Sequence, residues 1–433
     1  MNDKLFKKAI NKHKAGKLTE AAQLYKKILK STPDHLDANY MLGTLLAEQG
    51  RLQPALQYLK TAQGLSPQSP LVQNNLGNVY RLLGEYEQAA RCYQAALAAN
   101  AHMPEACNNL AIIYRRLGDD RRAEEFYQHA LAVKPDFTEA SYNLGKLYWD
   151  NAQLEDARAS YQRAIEVQPD YAPPYYGLGL CAMKCGDKAR AVGYFNSYLA
   201  ATDTDRYGAR LQLAYLSGGE LPDKMPEQLV QETYETKAGN WDAAVVNPEM
   251  EFLGPQHVRQ AVEGLLQDSP AQPGSLTILD IGCGTGLCGD FLKPLARRLE
   301  GVDLSRHMLQ QAQKKQLYDQ LAEADVTDYM AQHPAQYDLI TASGVLIFFG
   351  DLSPVLLSAA QALKPGGCVI FTAYKSMTAD IEIRDNIHFG HSEQHIRQCA
   401  GQAGLQVRAI AAVVHEYEKG QPQQGYISVL CKP

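Results

Sequence analysis

The chain has 433 residues, 45% of them hydrophobic and 21% charged, with a formal net charge of −6. That length accommodates two or three domains with substantial cores. No apolar run approaches the roughly 20 residues that a membrane span needs. The lysine-rich start, MNDKLFKKAINKHK, lacks the apolar core and cleavage site of a secretory signal, so a cytoplasmic protein is expected. Residues 1–216 hold 26 Lys and Arg against 22 Asp and Glu, whereas the remainder holds 16 against 26. An acidic second half speaks against a nucleic-acid substrate, whose phosphates need a basic surface. The basic cluster from Lys4 to Lys30 reads as the solvated outer face of a helix. Nine cysteines occur without any C-x-x-C pair, and they read as small buried apolar residues in a reducing compartment.

From Asn2 the sequence repeats every 34 residues through six units, ending at Asp205. A small residue recurs at the eighth position (Ala9, Gly43, Gly77, Ala111, Gly145, Gly179), and alanine recurs at the twentieth (Ala21 to Ala191). A bulky residue holds the twenty-fourth: Tyr25, Leu59, Tyr93, Tyr127, Tyr161, Phe195. Small residues let the two helices of a hairpin approach, the large one fills the gap to the next hairpin, and prolines such as Pro33 and Pro67 close units.

This pattern resembles a tetratricopeptide repeat (TPR) array, which stacks into a superhelix with a concave groove. The expected array spans residues 1–216, six repeats plus a capping helix at Arg206–Leu216, with a linker over 217–225. The sixth position of the three central repeats is asparagine: Asn75, Asn109 and Asn143. The repeats are similar to those of O-linked N-acetylglucosamine transferase. That resemblance implies an amide ladder gripping a protein or peptide in the groove. Asparagine at this position also serves the fold of idealised repeats, and Lys7, Met41 and Gly177 break the ladder.

Residues 226–433 lose the repeat. A helical lead-in is followed by alternating strands and helices, predicting a parallel doubly wound sheet. Strands are expected at Leu276–Ile281, Leu299–Asp303, Ala322–Asp325, Tyr337–Ala342 and Gly367–Ala373. An antiparallel C-terminal hairpin follows from Leu405–Ala411 and Tyr426–Cys431. After the first strand comes Asp280-x-Gly282-x-Gly284-x-Gly286, and Asp303 closes the second. A dinucleotide fingerprint from Gly282 would need glycine where Leu287 stands.

These motifs resemble class I S-adenosylmethionine (SAM) dependent methyltransferases, Rossmann-like α/β domains. The resemblance implies that Gly282 and Gly284, with Cys283 and Gly286, pass main chain against the methionyl arm, near Ser343. It implies that Asp280 orients the ammonium through water or the turn's amides. Asp303, beside Leu304, would accept both ribose hydroxyls, and Asp325 would meet the adenine amine with Val326 packed on the ring. DIGCGTGLCGDFL, EGVDLSRHML and VLIFFGDL also resemble a bacterial family of TPR-fused methyltransferases. Its members often carry an acid ahead of the Val-Leu pair, where this chain has Gly344.

Methyl transfer from a sulfonium is an in-line displacement, so the protein mainly aligns and desolvates the acceptor, and a hydroxyl or ammonium acceptor also needs a base. The rim Ser343–Gly350 is apolar and lacks the motifs of amide, nucleobase and arginine methylation. Candidate bases are Tyr374, His388 and His391, with the alternative that the histidines belong to a polar lid loop. Ser392 reads as an N-cap and His395 as helical. His391 and His395 lack an evident third ligand, so no metal is expected. Tyr234 and Trp241, in the lead-in, are candidates for a substrate-binding lid folded over SAM or for core residues joining the domains. The favoured expectation is a methyltransferase whose groove recruits a protein or peptide. Its rivals are a small-molecule O- or carboxyl-methyltransferase docked by the array, and a non-catalytic SAM-binding scaffold.

Overall fold

The computed structural model describes residues 2–247, 251–268, 272–384, 387–418 and 420–433. The chain divides into two compact units, Met1–Ala201 and Thr202–Pro433.

The first unit is six antiparallel helix pairs, from Asn2–Lys14 with Leu18–Ser31 to Pro173–Lys184 with Lys188–Ala200. The repeat's small and large positions meet as the periodicity predicts. A Cβ added to Gly77 would stand 2.8 Å from the Tyr93 ring, and one on Gly145 would stand 2.7 Å from Tyr161. Gly177, where the amide ladder breaks, faces the other side of the same Tyr161 at 2.6 Å, so that ring excludes a side chain there. The tight turns inside the pairs place Gly16, Gly50, Gly84, Gly118 and Gly186 at positive φ. In the fifth pair that position is Ala152, at φ 57°.

The second unit holds a mixed sheet of β1 Leu276–Ile281, β2 Ala296–Asp303, β3 Gln320–Glu323, β4 Tyr337–Ala342, β5 Leu363–Lys375, β6 Ile381–Ile383, β7 Phe389–His391, β8 Gln406–Glu418 and β9 Gln421–Cys431. Its order is β3-β2-β1-β4-β5-β7-β6, with β9 pairing antiparallel to β5 and β8 pairing to β9. The strands β1 to β5 are parallel. β1, β4 and the second half of β5 are buried almost throughout, as a sheet covered on both faces requires, whereas β2 carries exposed Arg297 and Arg298 near its start and the edge strand β3 is partly exposed. Ile278, Leu279, Val302, Ile340 and Phe371 are fully buried.

Three expectations change. The helix expected to cap the array is Ala209–Ser217, and it falls in the second unit, where Leu211 packs with Met225 and Phe389. The end of the expected linker is pinned to the sheet's loops: Met225 N donates to the Phe348 carbonyl at 2.8 Å, and Gly350 N to that of Asp223 at 2.6 Å. Finally, Cys368 and Cys431, directly opposed on β5 and β9, form a disulfide, so the cysteines are not all reduced.

Candidate active site

The site opens at the carboxyl ends of β1, β2 and β4, where an open α/β sheet leaves a crevice. Gly282, Gly284 and Gly286 all take positive φ (59°, 54° and 85°), which is why glycine fills each place. A Cβ on Gly282 would collide with Val345, whereas Gly284 opens onto free space. The Asp303 carboxylate accepts the amides of Gly284 at 2.9 Å and Ser305 at 2.8 Å, and burial raises its pKa. Asp325 caps the next helix by accepting the amides of Thr327 and Asp328, and Lys224 lies 3.4 Å from its other oxygen.

Most of the expected cofactor residues line one cavity: Asp280, Gly282, Cys283, Gly284, Asp303, Leu304, Asp325, Val326 and Ser343. Gly286 does not line it and instead lets Tyr318 approach, 2.9 Å from its missing Cβ. Asp280 reaches the wall, but its oxygens accept the hydroxyls of Tyr318 at 2.7 Å and Thr341 at 2.8 Å. Desolvation pushes its pKa up to about 6. It therefore ties the end of β1 to β4 through Thr341 and to Tyr318, the ring that packs against Gly286. The carboxylates at Asp303 and Asp325 keep further lone pairs, since each carboxylate offers about four acceptor sites. An acid beside a glycine elbow and a second acid farther along the wall fit a nucleoside such as that of SAM.

The lead-in covers this crevice. Tyr234 and Trp241 line the cavity and meet edge to face at 5.3 Å, and Tyr234 meets Phe348 at 5.7 Å. Asp242 accepts the Thr285 hydroxyl of the glycine turn and pairs with Lys315 at 2.7 Å. Phe252 lines the same wall, and its ring stands 2.8 Å from where a Cβ of Gly344 would be. Phe252 thus takes space that an acid at 344 would need.

The expected bases sit otherwise than anticipated. His391 does not end a loop: it belongs to β7, which pairs with β5 beyond β4, and it is fully buried outside the cavity lining. Burial pushes its pKa down to about 3. His388, pushed down to about 4 by burial, stands behind the wall, 5.4 Å from the Phe348 ring and 6.0 Å from Tyr374. Tyr374 is buried too, and its hydroxyl donates to Glu416, which does line the cavity. Burial raises the Glu416 pKa, while Tyr374 opposes the rise. Glu416 and His415 were not singled out from sequence. They are neighbours on β8, and an irregular register between Val414 and Glu416 turns both toward the cavity. His415, pushed down to about 3 by burial, lies with Nε2 3.2 Å from the Thr372 hydroxyl.

In the repeats, the asparagine donors are engaged internally. Asn75 Nδ2 donates to Tyr40 at 3.1 Å and Thr44 at 2.9 Å, and Asn109 and Asn143 donate to Asn78 and Asn108, each at 3.0 Å. Each bond joins one repeat to the repeat before it.

Fold and site together define a doubly wound α/β domain with a crevice at the carboxyl ends of its parallel strands, preceded in sequence by a helical repeat array. Residues 279–369 match a methyltransferase domain family, and residues 6–70, 68–136 and 142–206 match tetratricopeptide repeat families. The chain therefore carries tetratricopeptide repeats in its N-terminal half and a methyltransferase domain in its C-terminal half. It is similar to a ubiquinone biosynthesis O-methyltransferase of Thiobacillus denitrificans, 30% identical over 30% of this chain and 56% of that protein. A Bordetella pertussis protein of the same name is 26% identical over 34% of this chain and 61% of its own. The matches thus span less than two thirds of those relatives. Among solved structures, MamA covers 38% of this chain and 96% of its own at 26% identity, with a TM-score of 0.36. Among the described residues, no helix is long and apolar enough to cross a membrane.

Proposed function

We propose that the chain is a SAM-dependent O-methyltransferase whose acceptor is a hydroxyl group on an aromatic or otherwise apolar molecule, with the repeats docking a protein partner. The observation that carries this reading is the continuity of one cavity, from the Asp303 and Asp325 carboxylates to a chamber walled by Trp241, Phe252, Phe348 and Glu416. The relatives' name, O-methyltransferase, supports oxygen as the acceptor atom.

SAM, when bound, supplies an electrophilic methyl group. Asp303 would accept the ribose hydroxyls and Asp325 the adenine amine. Tyr234 and Trp241 exclude water, which favours a displacement that disperses charge. Glu416 takes the acceptor's proton, and Tyr374 orients its carboxylate.

A polypeptide acceptor delivered by the repeats is the second reading, favoured by the general use of such arrays to bind proteins or peptides. Full-length protein given methyl-labelled SAM, cell lysate and a panel of phenols distinguishes the two. Label in the small-molecule fraction, lost in Glu416→Gln, is the expected result. Label only in protein favours the second reading, and no labelled product at all favours a SAM-binding scaffold.

A further inference from the structure

Asp351 follows the short turn Leu346–Phe348 and is held there because its amide and that of Gly350 both donate to the Asp223 carbonyl. Across from it, the helix Glu393–Gln402 presents His395 and Cys399, four residues apart and therefore on one face. The nearer His395 nitrogen, Nε2, lies 3.4 Å from Cys399 Sγ, and Sγ lies 3.9 Å from Asp351 Oδ1. Ligand atoms of all three lie within 4.8 Å of one another. A tetrahedral zinc ion, with bonds of about 2.0–2.3 Å, separates its nitrogen, sulfur and oxygen ligands by about 3.2–3.6 Å. The His395–Cys399 separation already fits such an ion, the Cys399–Asp351 separation exceeds it by a few tenths of an ångström, and side-chain rotation must draw in the remaining pair from within 4.8 Å.

We propose that Asp351, His395 and Cys399 form a site for a divalent metal of the zinc class. Imidazole, thiolate and carboxylate together suit zinc and disfavour magnesium or calcium, which take oxygen ligands. Cys399 is buried, while Asp351 and His395 are half-buried, leaving the fourth position for water from the solvent side. His391 stacks on His395 at 5.4 Å with ring planes 13° apart, limiting rotation of that ligand. A bound ion would tie the segment that carries Phe348 and Phe349 to the helix Glu393–Gln402, fixing one wall of the cavity. The site does not depend on which acceptor the cavity takes.

The test uses full-length protein stripped with a chelator and then titrated with zinc by calorimetry and with cobalt by absorption spectroscopy. One equivalent of each metal is expected, with a thiolate-to-cobalt charge-transfer band. His395→Ala, Cys399→Ser and Asp351→Asn should each weaken zinc binding about tenfold or more, and Cys399→Ser should remove the band. Cys185→Ser, at an exposed cysteine, should change neither. Asp351→Asn leaves the buried helix face intact, so its result stands even if Cys399→Ser fails to fold. No uptake, uptake unchanged in Asp351→Asn, or a band lost with Cys185→Ser would overturn the proposal.

Discussion

The Asp303 carboxylate accepts the Gly284 amide at 2.9 Å, so the acid ending β2 and the turn after β1 are one rigid unit. A change in the turn is therefore felt at the acid. Gly282→Ala puts a methyl group into Val345 at φ 59°, a conformation that costs a non-glycine residue about 1–2 kcal/mol before any clash. We expect a lowered denaturation midpoint and loss of SAM binding. Adding Val345→Ala should recover only part of either, because it removes the clash and leaves the backbone strain.

Glu416→Gln should lower kcat by about 10²–10⁴ while leaving SAM affinity near wild type, in single-turnover and binding measurements. The carboxylate is the active form, and burial raises its pKa, so kcat/KM should fall as pH drops through that raised value. Tyr374 opposes the rise. Tyr374→Phe should therefore move the acid limb to higher pH. A limb unmoved in that variant would contradict the pairing.

Ala152 occupies the left-handed turn position that glycine fills in the other repeats. Ala152→Gly should stabilise the array by about 1 kcal/mol, measured by urea denaturation. The unfolded chain's added freedom offsets some of that gain.

The Cys368–Cys431 disulfide spans 63 residues and staples the antiparallel edge to β5. Cys431→Ser should cost about 2–4 kcal/mol by denaturant titration, and a reductant should destabilise wild type but not the variant. Equal sensitivity of both proteins would show that the bond is not what reduction breaks.

Sequence legibility followed the strength of the local signal. The strands β1 and β4 were expected with their observed limits because each is a short, mostly apolar segment, broken only by a threonine and an aspartate, that ends at a glycine turn. The hairpin β8–β9 runs longer than its apolar part, since cross-strand pairing carries polar residues such as Glu416 and Gln423 along. The strands β6 and β7 are three residues each and exist only through tertiary pairing, which is why His391 was expected in a loop. The glycine elbow and its acids were readable from spacing. Glu416 and His415 were not, because an irregular register, invisible in composition, turns both inward. The turn glycines Gly16, Gly50, Gly84, Gly118 and Gly186 recur in register with the 34-residue repeat, and Ala152 is the departure from that pattern.

The most direct measurement is calorimetric titration of SAM into full-length wild-type protein and Asp303→Ala. One site is expected in the wild type, with affinity lost in the variant while its circular dichroism stays native. Equal binding by both proteins, or no binding by the wild type, would contradict the assignment of this crevice.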